Sequence, residues 1–423
     1  MFLKKISKEQ KITLLILFSL SVVYFVLFMP VNSSSSEGGS VFSIFSGDEY
    51  ITYPYVEKML KGGEDIHETW GNLIIYGDYH YGYPFYFLSM LVLLPRRLVL
   101  GDAFFMARTT NIFILRQMIN VLPMVLAAGV LVYYKTNFRK IFQSVFLFLL
   151  ILITPSVVRS NVWWWHPDTI TFLFIALTFL FLQKDKYQLG KNFIFAAATC
   201  GLAAGTKLLG FFFFLTIPVY LLVIIVKKKQ TWQNTLQKAF LFVLIMAAVI
   251  VLVNPFLWYE IPRNEMFAIQ QYKSTELNQG YTHDDPYYYQ KGPQFWMWTI
   301  RTWFGSPLFM GFLLISLMVG LFQKKEFNEN IFLATWSSPF LMYILFLVAP
   351  KPDHYIFPAI MPLFLTAFDI PVYLFEKWKH LSKIIQILSL LVLGGILFLL
   401  VKQVLFSVAS DIPLYQEYLI ENM

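Results

Sequence analysis

Long apolar segments recur along almost the whole chain and are separated by short charged or proline-rich breaks. An α-helix needs roughly 20 mainly apolar residues to cross the hydrocarbon core of a bilayer. The spacing of the breaks therefore predicts an all-α integral membrane protein with about eleven transmembrane helices. The predicted spans are residues 12–30, 109–134, 141–158, 169–183, 192–206, 208–226, 239–257, 303–322, 331–349, 356–375 and 384–402.

Lysine and arginine are concentrated in every second break between these spans. The basic turns are residues 135–140, 184–191, 227–229, 324–325 and 377–383. Because loops rich in Lys and Arg normally remain in the cytoplasm, the pattern predicts a cytoplasmic N-terminus and places these turns inside. The segments on the opposite side are residues 31–108, 161–168, 258–302, 350–355 and the chain after residue 403.

Two apolar runs near the N-terminus need a separate interpretation. Residues 12–30 follow a lysine-rich start, as in a signal peptide, but the run is long and lacks an Ala-x-Ala cleavage site, so we expect an uncleaved first span. Residues 83–95 have helical length, but a span there would place every later basic turn on the outer side of the membrane. We expect an amphipathic or re-entrant helix in the outer interface, with Arg96 and Arg97 at the lipid headgroups.

The composition supports a membrane location. Of the 423 residues, 57% are hydrophobic and 19% are aromatic, whereas soluble domains use roughly 45–50% apolar residues. The formal net charge of +8 arises mainly from the basic turns, so no nucleic-acid partner is expected. The single cysteine, Cys200, excludes a disulfide within the chain. We expect one transmembrane domain over residues 1–423, with large outer loops at 31–108 and 258–302 and no appended soluble domain.

Polar residues that could carry chemistry cluster in the segments placed outside. Asp48 and Glu49 follow the first span in the sequence SGDEY. Such a pair is typical of a solvated loop, but a carboxylate held at the membrane surface can also accept a proton from an attacking hydroxyl. In WWWHPD (residues 163–168), the tryptophans are explained as interfacial anchors. Anchoring explains His166 and Asp168 less well.

Basic and hydrogen-bonding residues lie at two further outer turns. Lys207 lies between apolar stretches in GLAAGTKLLG, where it either reaches the lipid headgroups or meets a phosphate. The turn PKPDHY (residues 350–355) brings Lys351, His354 and Tyr355 together. A cation beside imidazole and hydroxyl donors suits a lipid-linked phosphate leaving group, whose charge must be stabilised as it departs.

A metal site or a nucleotide site receives little support from the sequence. In the segment YTHDDPYYY (residues 281–289), His283 and two adjacent aspartates could ligate a divalent metal, but the segment lacks the spacing of a recognised metal site. The chain has no P-loop, no nucleophile elbow and no His-Glu-x-x-His motif. We therefore expect that no cofactor is required and that a lipid-linked donor is used rather than ATP.

These positions together resemble the multi-span membrane glycosyltransferases that use polyprenyl- or dolichyl-phosphate sugars. That superfamily includes protein O-mannosyltransferases and the aminoarabinose transferase of lipid A. The matching pieces occur in the family's order and on its side of the membrane, although YGYPF has one proline where many members have two. In chain order they are Asp48 with Glu49, YHYGYPFYF (79–87), Arg108, HPD (166–168), GTK (205–207), NPF (254–256), His283 and HYIFPAIMP (354–362).

The resemblance implies a glycosyltransferase-C-type architecture, with interfacial helices in the first outer loop and a cavity that faces outward. It implies that Asp48 acts on the acceptor as the catalytic base, with Glu49 beside it. The acceptor and cavity residues would be His80, His166, Asp168 and His283. The donor phosphate would be bound by Arg108, Lys207, Lys351, His354 and Tyr355. No residue is assigned to a metal.

The implied activity is transfer of a hexose or pentose from a polyprenyl-phosphate donor to a hydroxyl acceptor, with inversion, on the outer face of the membrane. We expect this membrane to be a bacterial plasma membrane. The acceptor is a glycan, a lipid or a protein. A transporter or lipid flippase is the main alternative, since it would also have many spans. A transporter should place its essential charges at mid-bilayer and often has two similar halves, whereas here the charges cluster at one face and no halves repeat.

Overall fold

The computed structural model describes residues 6–33, 47–162, 164–280, 289–324 and 326–420, with the backbone alone for residues 47, 48 and 417–420. These residues form helices and contain no strand, which confirms the predicted all-α class. The α-helices are Lys8–Leu27, Met29–Ser33, Gly47–Lys61, Ile66–Ile74, Tyr83–Leu100, Arg108–Leu115, Leu122–Thr136, Ile141–Leu152, Pro155–Asn161, Asp168–Asp185, Lys191–Thr206, Phe213–Val226, Trp232–Leu252, Glu260–Gln279, Pro293–Trp303, Pro307–Leu321, Phe327–Leu347, Phe357–Leu363, Asp369–Lys377 and Lys383–Ile420. Short 3-10 turns lie at Gly101–Met106, Leu208–Phe212, Pro255–Trp258, Asp353–Tyr355, Phe364–Phe368 and Trp378–His380, and Arg116–Val121 is a π-helical segment.

Seven helical stretches within the described residues are long and apolar enough to cross a membrane. They are Lys8–Ser33, Arg108–Thr136, Leu208–Val226, Trp232–Leu252, Phe327–Leu347, Phe357–His380 and Lys383–Gln416. Two further pairs of helices are each bent at a short break, and the number rises to nine if each pair is one span. The pairs are Ile141–Leu152 with Pro155–Asn161, bent by 62°, and Pro293–Trp303 with Pro307–Leu321, bent by 101°. The chain is therefore a multi-pass integral membrane protein.

The predicted count of eleven spans is not confirmed. The segments predicted as 169–183 and 192–206 are helical, but neither is long and apolar enough to count as a span. Lys191–Thr206 has only 16 residues. Asp168–Asp185 carries charged residues at both of its ends. Both helices are largely buried among their neighbours.

Two apolar clusters hold these helices together. The larger one fills the space between the membrane-spanning helices, and buried Phe179, Tyr220 and Trp336 belong to it. The smaller one lies under the first outer segment, where Tyr53 and Tyr86 pack with Trp165. The outer segment is thus folded onto the ends of the spans and is not a detached loop.

The helix Tyr83–Leu100 contains the predicted interfacial helix at residues 83–95, and it is not among the candidate spans. Its first turns are buried against the protein, whereas Leu98 and Val99 near its end are exposed. Arg96 and Arg97 are partly exposed and also bind protein groups, and their predicted location at the headgroups stays a prediction. The Arg96 guanidinium donates to Asn111, and that of Arg97 donates to the carbonyl of Leu60.

Candidate active site

Hydrogen bonds join three of the sequence motifs, YGYPF, GTK and NPF. The amide of Gly82 donates to the carbonyl of Thr206 over 3.0 Å. The side chain of Asn254 donates to the carbonyl of Gly205 over 3.1 Å and accepts from the amide of Tyr83 over 2.8 Å. A Cβ atom at Gly82 would lie 1.6 Å from the Gly205 oxygen, so glycine is required at this crossing. YGYPF, GTK and NPF therefore form one structural unit.

Lys207 projects from the end of this unit into an ion pair with Asp168. Lys207 follows the helix Lys191–Thr206, and Asp168 is the first residue of the helix Asp168–Asp185. The Lys207 ammonium lies 2.5 Å from one oxygen of the buried Asp168 carboxylate. The second carboxylate oxygen lies 2.8 Å from Nδ1 of His166. A buried charge needs an opposite charge, and the Lys207 ammonium provides it for Asp168.

His166 joins this ion pair to the first outer segment. Its Nε2 atom lies 2.7 Å from the hydroxyl oxygen of Tyr81, and its backbone amide donates to the side chain of Asn120 over 3.1 Å. The ring of Trp164 stacks on the imidazole, with ring centroids 4.3 Å apart and planes inclined by 22°. These contacts hold the imidazole in one orientation.

His354 and Tyr355 reach the same place from the turn Asp353–Tyr355. The His354 ring lies 4.8 Å from that of Trp164 and 5.8 Å from that of His166, measured between centroids. The Lys207 ammonium lies 5.9 Å from the centre of the Tyr355 ring. Burial lowers the pKa of His354 well below its ordinary value of 6.5. At neutral pH His354 therefore offers a hydrogen bond rather than a charge.

A second basic residue lies behind this turn. The Arg159 guanidinium donates to the Asp353 carboxylate over 2.7 Å and lies 4.6 Å from the centre of the Trp303 ring. Asp353 is buried, whereas 43% of the Arg159 side chain is exposed. Burial raises the pKa of Asp353, and Arg159 opposes that rise. Arg159 thus fixes the turn that carries His354, and part of its own side chain stays accessible.

Glu49 is buried in an ion pair with Arg116. The two side chains form hydrogen bonds of 2.9 and 2.7 Å, and both are almost fully buried. Glu49 also accepts from the backbone amide of Trp165 over 2.6 Å. Asp48 precedes Glu49 in the helix Gly47–Lys61, but its side chain lies outside the described residues. The contacts of Glu49 fit a residue that positions this helix.

The remaining predicted residues lie in other surroundings. His80 binds the buried carboxylate of Asp78 through Nδ1 over 2.5 Å. Arg108 forms two hydrogen bonds with Glu57, 3.0 and 3.1 Å long. The Lys351 ammonium is buried and donates to the carbonyl of Ala349. His283 lies outside the described residues. The predicted roles of these four residues stay predictions.

The structure thus brings together five of the residues that the sequence singled out, namely His166, Asp168, Lys207, His354 and Tyr355. Sequence reasoning did not identify Tyr81, Arg116 or Arg159. A charge in or next to an apolar span is costly unless it is paired, and this signal could have identified both arginines. Nothing comparable distinguished Tyr81 among the 24 tyrosines of the chain.

A metal site is not apparent in the part of the chain that the structure describes. Those residues hold no group of three or more His, Cys, Asp or Glu side chains arranged to bind a metal ion. The segment with His283 and its two neighbouring aspartates is not among them. The expectation that no metal is required stays a prediction.

Two solved membrane enzymes have a similar fold. No protein-family model and no curated protein matches the sequence. ArnT from Cupriavidus metallidurans, solved with undecaprenyl phosphate, aligns over 96% of this chain and 76% of its own, with a TM-score of 0.53 and 14% identity. The oligosaccharyltransferase AglB from Archaeoglobus fulgidus, solved with an inhibitory peptide and a dolichol-phosphate, aligns over 93% of this chain, also with a TM-score of 0.53 and 14% identity.

The chain has the glycosyltransferase-C fold. The likeness to ArnT and AglB confirms the resemblance drawn from the motifs at the level of the fold. The chain spans 56% of the length of AglB, so it corresponds to only part of that enzyme. Because a shared fold hosts different activities, the activity must be argued from the residues of the site.

Proposed function

We propose that this protein is a membrane glycosyltransferase that transfers a sugar from a polyprenyl-phosphate donor to a hydroxyl acceptor. The observation that carries the proposal is the cluster of Lys207, His354 and Tyr355 around Asp168. The fold is similar to that of ArnT solved with undecaprenyl phosphate and of AglB solved with a dolichol-phosphate. An ammonium with neutral hydrogen-bond donors suits a phosphate that gains charge as it leaves.

The donor phosphate would bind beside Lys207. The Lys207 side chain is partly exposed, and its Asp168 partner holds the ammonium in place without removing the remaining hydrogen-bond donors. His354 and Tyr355 would donate further hydrogen bonds from the opposite turn. Arg108 and Lys351 would then act farther from the reacting atoms, at the lipid headgroup or as structural supports.

The transfer would be a single displacement. The acceptor oxygen attacks the anomeric carbon, the bond from that carbon to the phosphate oxygen breaks, and the lipid phosphate departs with the electron pair. Asp48 would accept the acceptor proton. Inversion at the anomeric carbon follows from one displacement. Positioning and electrostatic stabilisation can supply the acceleration, because a phosphate is already a good leaving group.

The proposed orientation follows the basic turns. These turns and the N-terminus would lie in the cytoplasm, and the site would face the outside of a bacterial plasma membrane. The acceptor would be a glycan, a lipid or a protein that carries a free hydroxyl at that surface.

The test is transfer of radiolabelled sugar from a panel of polyprenyl-phosphate donors by the purified protein in detergent. Membrane lipids and glycans serve as acceptors. We expect labelled product from the wild type and none from Asp48→Asn. The matched control is Asp102→Asn, because Asp102 is an exposed aspartate in the same outer segment. Full activity in Asp48→Asn would remove Asp48 from the proposed role.

A different outcome would favour the transporter. The wild type would turn over no donor in the panel, and vesicles containing the protein would accumulate a substrate without any donor. That pair of results would overturn the glycosyltransferase proposal.

A further inference from the structure

A groove lined by apolar side chains lies between two helices, beside the basic turns 135–140 and 377–383. One wall is the start of the helix Ile141–Leu152, and the other is formed by side chains from the stretch 368–375. The groove has a volume of about 390 Å³, and its lining is almost entirely apolar. That volume lies in the range of about 300–1,000 Å³ that is typical of sites for small ligands. The groove therefore suits an apolar group.

Aromatic side chains of both walls are exposed on the surface of the protein. The exposed fraction is 73% for Phe142 and 66% for Phe375. The ring of Phe142 packs edge to face on that of Phe368, with centroids 6.1 Å apart, and this contact joins the two walls. One wall belongs to the candidate span Phe357–His380. Exposed apolar patches of this kind mark sites of contact with a membrane or a partner, so in a membrane protein the groove opens to lipid.

Positive charge borders the groove on both walls. Lys140 lines the groove and Arg139 precedes it, and both residues are exposed. The carboxylate of Glu326, which Lys140 attracts, is hydrogen-bonded to Lys135. The opposite wall continues into the segment 376–383, which has three lysines and one glutamate. The groove is therefore complementary to a ligand with an apolar chain and an anionic head group.

We propose that this groove binds an acyl chain of an anionic phospholipid, whose phosphate contacts Lys140 and Arg139. The apolar walls hold the chain, and the two cations select the head group. Each Lys or Arg close to the membrane surface favours an anionic lipid about fivefold. The proposal depends on the location of the protein in a membrane and not on the transfer of a sugar.

The charges also argue against a second copy of the chain as the occupant. In a symmetric pair of chains, the same surface patch of each subunit meets that of the other. Lys140 and the lysines of the segment 376–383 would then face the equivalent residues of the second copy. Because like charges brought together at an interface oppose association, the charge distribution favours the lipid.

The test compares the binding of phosphatidylglycerol and phosphatidylcholine with identical acyl chains by the purified full chain in detergent. Binding is measured as the rise in Tm at a series of lipid concentrations. We expect the wild type to bind phosphatidylglycerol about tenfold or more tightly than phosphatidylcholine. The double variant Arg139→Gln, Lys140→Gln should lose most of that preference, because the chain still binds but the head group does not. The matched control is Lys228→Gln, Lys229→Gln, at two exposed lysines of another basic turn, and it should keep the preference.

A second variant tests the apolar part of the site. Val372 lines the groove and is partly exposed, so Val372→Trp should fill the groove and weaken the binding of both lipids about tenfold. Val226→Trp is the control, because Val226 is a 72% exposed valine on another span. The Tm without lipid shows whether each variant folds normally. The charge variants alter only exposed side chains, so they remain informative if Val372→Trp is unstable.

The outcomes separate the lipid from other occupants. An equal preference for phosphatidylglycerol in the wild type and in Arg139→Gln, Lys140→Gln would overturn the proposal. Unchanged lipid binding by a folded Val372→Trp protein would overturn it as well. A change from dimer to monomer in Val372→Trp, measured by light scattering and accompanied by unchanged lipid binding, would assign the groove to a second copy. None of these results bears on the proposed sugar transfer, so the two proposals fail independently.

Discussion

Glu49 and Arg116 form a two-pronged ion pair in which both side chains are almost fully buried. Arg116 begins a π-helical segment in the middle of the stretch Arg108–Thr136, where the ordinary helical hydrogen-bond pattern is interrupted. Glu49 also accepts from the amide of Trp165. One carboxylate thus ties the first outer helix, a central span and the WWWHPD loop together. π-Helical segments such as the one that begins at Arg116 occur frequently at functional sites.

We expect Glu49→Gln to destabilise the protein strongly. Loss of the carboxylate charge breaks a buried ion pair by removing one partner, which costs about 3–5 kcal/mol. Thermal unfolding in detergent measures the change as a fall in Tm. Glu57→Gln is the matched control, because its partner Arg108 is 39% exposed and the loss should be smaller. Equal Tm changes in the two variants would contradict the structural role of Glu49.

Gly82→Ala should disrupt the crossing of YGYPF over GTK. The added Cβ would lie 1.6 Å from the carbonyl oxygen of Gly205, and backbone must move to relieve the contact. Overpacking of this kind costs about 1–3 kcal/mol or more. We expect a lower Tm and weaker sugar transfer, because Lys207 follows the displaced segment.

Gly71→Ala is the control for this substitution. Gly71 lies in the helix Ile66–Ile74 of the same outer segment, and an added Cβ there meets no atom within 4 Å. Its Tm and activity should match those of the wild type or slightly exceed them. A Gly82→Ala protein with the Tm and transfer rate of the wild type would contradict the requirement for glycine at this position.

The hydrophobic pattern was sufficient to locate most of the helices. The predicted span 109–134 corresponds to Arg108–Thr136, because long apolar runs have few alternatives to a helix in a membrane. The pattern could not determine how many helices count as spans. Lys191–Thr206 is apolar yet short, and its ends are set by packing and by the break at Lys207. The length of an apolar run in the sequence therefore does not determine whether its helix crosses the bilayer.

The site could be predicted where a motif carried charge in an outer turn, as for Asp168 and Lys207. It could not be predicted where the chemistry depends on a distant partner. Tyr81 lies 85 residues before His166 in the chain, and only the tertiary fold brings the phenol to the imidazole. With 19% aromatic residues, the sequence gives no reason to choose this tyrosine. The pairing of Glu49 with Arg116 could not be predicted for the same reason, because the two residues are 67 positions apart in the sequence.

Lys207 should be essential for donor binding and also important for stability. Lys207→Gln leaves the buried Asp168 carboxylate without its ammonium partner, so a lower Tm is expected along with weaker binding of polyprenyl phosphate. The double variant Asp168→Asn, Lys207→Gln removes both charges and should recover part of the Tm. Its binding of polyprenyl phosphate should stay at least tenfold weaker than that of the wild type, since a charged hydrogen bond to phosphate contributes about 1.5–3 kcal/mol.

Binding and stability are thereby measured separately in that experiment. The Tm without ligand measures the loss of stability caused by the unpaired buried charge. The rise in Tm on addition of polyprenyl phosphate measures binding at the site. Lys184→Gln is the control, because Lys184 lies near the other end of the helix Asp168–Asp185, in a turn predicted to face the cytoplasm. Recovery of full phosphate binding in the double variant would exclude Lys207 as a phosphate ligand.

His354 should make the stability of the protein depend on pH in the mildly acidic range. Its pKa is lowered by burial in the folded protein, whereas the unfolded chain has the ordinary value of 6.5. At about pH 7.5 neither state binds a proton at this residue, so it makes no pH-dependent contribution. Below about pH 6.5 the unfolded state binds a proton that the folded state excludes, so stability must fall. His354→Gln removes the proton-binding group, and its Tm should fall less between about pH 7.5 and pH 5.5 than that of the wild type. His67→Gln, at an exposed histidine, should retain the wild-type slope. An equal slope in His354→Gln and the wild type would show that the His354 imidazole is not the group responsible.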